Sequence, residues 1–175
     1  MLFRSEKFQQ LAAILTDFGR PSEPLAAYRA DWKQEIARMR ARIEKERTPA
    51  GKDNLAIKTG VGGLVDAEFL AQTLCLAHGW HEPNTLRALR MAREQGALIG
   101  AEAGTVIENY RNLLRIECVL RRWSFEGETV LPDDAAALDR VAIRCGFPEA
   151  KGLMKAVGDC RAAIRKVYSK FFDEK

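Results

Sequence analysis

Apolar residues along this 175-residue chain return at steps of three and four, and sustained strand alternation is absent. That period admits amphipathic helices and excludes a sheet. Phe8, Leu11, Ile14, Leu15 and Phe18 form one such stripe, stopped by Gly19 and Pro21. Tyr28, Trp32, Ile36, Met39 and Ile43 form a second, on a helix expected from about Leu25 to Arg47. Its other face carries Lys33, Glu35, Arg38, Arg40, Arg42 and Glu44, a mixed-sign run that reads as solvated. TPAGKDN, residues 48–54, is a cluster of helix breakers, and LAIK just after it is the one stretch that reads as briefly extended. LVDAEFLAQTLCLAHG follows as a helix buried over much of its circumference and ended by Gly79. The next helix starts at the N-cap Asn84 and stops at Gly96. A long helix from about Ala101 to Trp123, one after LPDD that ends at Gly146 and Pro148, and one from about Glu149 to Phe172 complete the pattern. The fold class expected is all-α: a bundle of six or seven helices with short loops. It divides into an N-terminal helical arm over 1–24 and a main helical domain over 25–172.

Composition narrows the function classes. Hydrophobic residues make up 47% and charged residues 30%, a globular balance rather than a disordered one. The 28 basic and 24 acidic residues are interspersed, and the resulting +4 is small for a nucleic-acid binder. No stretch reaches the ~20 apolar residues of a membrane span, and MLFRSEKF has no signal-peptide core, so a cytoplasmic protein is expected. Cys75, Cys118, Cys145 and Cys160 form no CxxC pair and read as reduced core thiols. His78 and His81 read as a solvated pair rather than as zinc ligands.

The residues that stand apart are KTGVGGLVDAE, 58–68. Glycines ahead of a helix let an anion approach its unpaired N–H groups, with Lys58 adding charge and Asp66 orienting a base, ribose or metal-bound water. The competing reading is structural: Gly62 and Gly63 turn the chain at positive φ, Gly60 permits close packing, and Asp66 suits the positive helix end. The stretch is neither a Walker A loop nor a dinucleotide fingerprint. Asp66 and Glu68 are two apart, so on a helix they diverge by about 200° and cannot share one face; Glu68 and Gln72 can.

KTGVGGLVDAEFLAQ resembles a motif of the helical domains of the bacterial glutamine-synthetase adenylyltransferase/deadenylylase family. NTLRALRMAREQGAL, NYRNLLRIECVLRRW with Glu117, LPDDAAALDRVAIRCGF and IRKVYSKFF continue the resemblance in order, over residues 25–172. The uridylyltransferase of the PII signalling protein, whose helical domain is related, is the nearest alternative. The chain departs from that family in one respect. Its members carry a nucleotidyltransferase domain with an Asp-x-Asp pair for magnesium, and no such pair occurs here; Asp133-Asp134 reads as an acidic first turn.

The resemblance therefore implies a helical accessory domain, inert alone, whose complete enzyme moves AMP between ATP and a glutamine synthetase tyrosine in nitrogen metabolism. Whether the chain is a fragment or a free-standing relative stays open. No cofactor is expected in this chain alone; ATP and magnesium are implied for the complete enzyme. Lys58, Gly60, Gly62, Gly63 and Asp66 are implied to face the nucleotide cleft. The implied partners are the nucleotidyltransferase domain, glutamine synthetase and a PII-type regulator, with no membrane or nucleic acid. Arg111 and Arg115 could reach a phosphate, though exposed pairing, as for Glu117 with Arg121, is the simpler expectation. The alternatives are a free-standing protein-interaction bundle that binds no nucleotide and, more distantly, nucleic-acid binding by the arginine-rich face from Arg38 to Arg47.

Overall fold

The computed structural model describes residues 30–124 and 129–173. Six helices fill them: α1 (Trp32–Arg47), α2 (Leu64–His78), α3 (Thr85–Glu94), α4 (Gly100–Ser124), α5 (Ala135–Cys145) and α6 (Ala150–Asp173). The all-α bundle expected from periodicity is the observed one. The arm expected over 1–24, the start of the helix expected from Leu25 and most of the SFEGE turn lie outside the described residues.

Capping chemistry sets the helix ends where the sequence signals place them. Asn84 accepts from the Arg87 amide at 3.1 Å, and Asp134 from the Ala137 amide at 2.8 Å. Asp134 is thus the cap of α5 rather than part of its first turn, while Asp133 pairs with Lys52. Gly79 and Gly146 take the left-handed conformation that ends α2 and α5.

Helices α2, α4 and α6 all contact one another and make the centre. Each remaining helix sits across two of them: α1 on α2 and α6, α3 on α2 and α4, α5 on α4 and α6. The central position of α2 follows from its sequence, because a helix apolar around its circumference must be covered on every side. Leu64, Ala67, Leu70, Ala71 and Leu74 are fully buried, beside Leu89, Val106, Leu113, Leu120, Leu153 and Ile164 from its neighbours. Among the described residues no helix is long and apolar enough to cross a membrane.

LAIK is extended for one pairing only. Ala56 bridges Val130 in antiparallel sense, with Ile57 N–H to Thr129 O at 3.2 Å and Leu131 N–H to Leu55 O at 2.9 Å. This ties the loop ahead of α2 to the segment entering α5.

All four cysteines are free, with Cys75 and Cys160 buried and Cys145 part-buried. Burial pushes these three thiols up, so they act as small apolar groups. Cys118 corrects the core-thiol expectation: it is exposed, because the inward stripe of α4 runs through Leu113, Ile116, Glu117 and Leu120. His78 and His81 are both exposed, as expected of a solvated pair, and His78 stacks on Trp80 at 4.6 Å.

Truncating the centre tests this architecture. Leu70→Ala is expected to lower unfolding free energy by about 2–5 kcal/mol in a denaturant titration. Ile143→Ser, at a position 64% exposed, is expected to change it by less than about 0.5 kcal/mol.

Candidate functional site

The glycine stretch folds into a tight turn whose amides are already claimed. Gly60 N–H donates to Ala56 O, Gly63 N–H to Gly60 O, Leu64 N–H to Ile57 O, Val65 N–H to Lys58 O, and Asp66 N–H to Gly63 O. Gly62 N–H donates to Asp66 Oδ2 at 2.9 Å. The first turn of a helix normally leaves such donors free for an anion. Here carbonyls of the preceding chain and one carboxylate take these six.

Sterics demand each glycine. Only Gly62 has positive φ, at 70°; Gly63 is extended (φ −74°, ψ −173°), against the expectation that both turn left-handed. A Cβ on Gly60 would lie 2.6 Å from Ala56 O, one on Gly63 2.5 Å from Lys58 O, and one on Gly62 would overlap the Arg161 carbonyl. Close packing against neighbouring backbone accounts for all three, and the turn adds a conformational reason at Gly62.

Asp66 is fully buried at the centre of this packing. Its Oδ1 receives Arg40 Nε, and its Oδ2 receives the Gly62 amide and, at 3.1 Å, Arg165 Nη1. Arg40 is 1% exposed and spans the junction: its Nη2 donates to Thr59 O at 3.0 Å and Gly60 O at 3.1 Å, and its Nη1 lies 3.3 Å from Glu44 Oε2. The solvated face expected of this helix therefore fails at Arg40. Trp32, Ile36 and Arg40 are the buried residues of α1, four apart, and that spacing was the available signal. Two guanidinium groups against two carboxylates, with carbonyls on Arg40 Nη2 and the Glu44 charge beside an Nη1 that makes no hydrogen bond, hold this buried ion pair. Tyr168 borders the network, its ring 5.0 Å from the Arg165 guanidinium. Burial, then the Asp66 charge, pushes its phenol up to about 12.

Glu68 lies on the far side of α2, as the 200° divergence requires. It accepts from Tyr110 Oη at 3.2 Å, and nearby Lys58 Nζ pairs with Glu117 Oε1 at 3.2 Å. Glu117 thus pairs across the fold with Lys58, correcting the expected Glu117–Arg121 pair on α4. Arg111 and Arg115 are exposed. Lys58 consequently belongs with Glu68 and Glu117, whereas Gly60, Gly62, Gly63 and Asp66 belong with Arg40 and α6. The stretch read as one unit is two.

Burial raises the Glu68 carboxyl above its ordinary range, against the Lys58 charge and the Tyr110 hydrogen bond. The folded protein therefore holds that proton more tightly than the unfolded chain. The group's desolvation cost is absent below the ordinary carboxylate pKa and grows as pH rises to the elevated folded value. Glu68→Gln is expected to gain thermal stability relative to the parent as pH rises from about 4 to 7, measured as Tm against pH.

The ion-pair network makes a separate prediction. Asp66→Ala and Arg40→Met are each expected to cost about 3–5 kcal/mol, since each strands a buried charge. Denaturant titrations of the single and double variants should give a coupling energy of about 0.5–3 kcal/mol, the double variant losing less than the sum.

Comparison with known proteins adds a family to this geometry. The family model described as GlnD PII-uridylyltransferase matches residues 30–172. A bifunctional glutamine synthetase adenylyltransferase/adenylyl-removing enzyme of Streptomyces avermitilis is 33% identical over 145 residues, covering 79% of this chain and 14% of the relative. The enzyme of the same description from Rhodopseudomonas palustris strain TIE-1 is 32% identical over a 182-residue alignment, covering 96% of this chain and 16% of the relative. The chain spans about one seventh of the length of these curated relatives.

Proposed function

Because the chain belongs to the family that the GlnD PII-uridylyltransferase model describes, we propose that it is the helical accessory part of a glutamine-synthetase adenylyltransferase-like protein. In this reading the complete enzyme transfers AMP from ATP to a glutamine synthetase tyrosine, or removes it. The chemistry resides in a nucleotidyltransferase domain against which this bundle packs. The observation that carries the reading is the match over residues 30–172, with relatives named for that activity on either side of 30% identity. The all-α bundle, with the glycine turn at the entry to its central helix, is consistent with it.

ATP and magnesium belong to the neighbouring domain in this proposal. Asp66 and Glu68 do not fit a magnesium clamp: they point to opposite sides of α2, and Asp66 is held by Arg40 and Arg165. The part proposed for Gly60, Gly62, Gly63 and Asp66 at the nucleotide cleft is that of a rigid edge. The turn holds its shape through its own hydrogen bonds and presents Val61, 43% exposed, at its tip. Lys58 acts from the other side of α2, positioned by Glu117. Glutamine synthetase and a PII-type regulator are the partners proposed for the complete protein, and the cytoplasm its compartment.

A domain exchange tests this. Residues 30–172 would replace the matching segment of the Streptomyces avermitilis relative, and labelled AMP on glutamine synthetase would be followed in both directions. Transfer or removal within about tenfold of the parent is the expected result. A folded chimera that binds glutamine synthetase but moves no AMP would instead favour an interaction bundle without a nucleotide role.

A further inference from the structure

Outside the turn, α6 and the loop before α2 enclose an open groove of about 420 Å³. Gly158, Ala162 and Ser169 of α6 line it. Their spacing of four and seven keeps them on one helical face, and the first two contribute no bulk. Arg161, Arg165 and Lys166 stand along the same face, and Val61 and Asn54 form the rim.

Among the described residues, Arg161 and Lys166 of this groove have no ion-pair partner. Arg161 is held by neutral acceptors, Nε on Val61 O at 2.8 Å and Nη1 on Asn54 O at 3.1 Å. Among the described residues, the acids acting on Arg161 are Asp66, Asp53 and Glu44, only through space, and Asp66 and Glu44 are shared with Arg40 and Arg165. Burial also works against the Arg161 charge, a cost that an anion in the groove would offset.

We propose that this groove is a binding site for the phosphate groups of a polyphosphate ligand. Arg161 and Lys166 are the principal cations, Arg165 contributes from its side away from Asp66, and the Ser169 hydroxyl is an added donor. The two carbonyl contacts fix the Arg161 guanidinium in place as a stationary positive charge, and Lys166 supplies an adjustable one. Arg161 and Lys166 stand five residues apart on α6, about 7.5 Å along its axis, a span that linked phosphates match better than a single one. The site goes beyond the family reading and stands without it, because it uses only residues of this chain.

The test follows arginine side-chain and backbone amide resonances of the 175-residue chain at low ionic strength while tripolyphosphate is added. Saturable shifts of Arg161 Nε–H and the Gly158 and Ala162 amides are expected. Lys166→Glu, at an exposed position, should weaken the affinity about tenfold without changing the melting temperature. Arg161→Lys should weaken it as well, having lost the two carbonyl contacts that fix the charge in place. A parallel ATP titration separates the sources. Equal affinities mean that the groove reads phosphates alone, and tighter ATP binding means that the nucleoside adds contacts; either supports the site. The proposal is overturned by the absence of saturable shifts, by shifts that Lys166→Glu leaves unchanged, or by equal shifts from sulfate at matched ionic strength. None of these readouts involves glutamine synthetase, so failure here leaves the domain-exchange result standing on its own.

Discussion

The buried Arg40–Asp66 pair is the constraint around which this bundle is arranged. Neither side chain tolerates burial alone, since an ionised group removed from water without a partner costs several kcal/mol. Asp66 therefore requires the guanidinium of α1 on one oxygen, and a backbone amide and a guanidinium of α6 on the other. Arg40 in turn requires the carbonyls of Thr59 and Gly60. One residue of α2 thereby sets the relative placement of α1, α2, α6 and the glycine turn.

The glycines follow from this arrangement. For Arg40 to reach the carbonyls of the turn while Gly62 N–H reaches Asp66, the turn must lie flat against α6. No Cβ fits between the turn and the Arg161 backbone there. The same compactness uses the helix-terminal amides internally. A glycine-rich entry to a helix, which in other settings cradles phosphate, works here as a packed junction. Cationic character then appears one layer out. Arg161 fastens the turn from α6 through the carbonyls of Val61 and Asn54 and retains its charge.

The two acidic residues of the motif show how helix geometry divides roles. Asp66 faces α1 and α6 and holds the junction together. Glu68 faces α4, meets Tyr110 and lies near the Lys58–Glu117 pair, where it remains half-buried and open to titration. A spacing of two residues along a helix is what sends them to opposite sides. The bundle therefore offers two separate features, a rigid edge at the turn and a charged cluster beside α4, that do not share a face.

The six helices of the described residues, most caps, the apolar circumference of α2 and the divergence of Asp66 from Glu68 were legible in the residues. Each depends on local periodicity or on a backbone rule that acts within a few positions. Lys58 pairing with Glu117, Arg161 reaching Val61 O, and Cys118 facing outward were not. Arg40 marks the boundary between the two kinds of information. Its mixed-sign run points to a solvated face while its spacing from Trp32 and Ile36 points inward, and Asp66 twenty-six residues away is what makes its burial favourable. Sequence alone determined that this chain is helical and where its helices stop, because those signals are short-ranged. Tertiary structure alone decided which charges are buried, which glycines touch a neighbour and which cations find an ion-pair partner among the described residues, because a charge's fate depends on partners brought close only by folding.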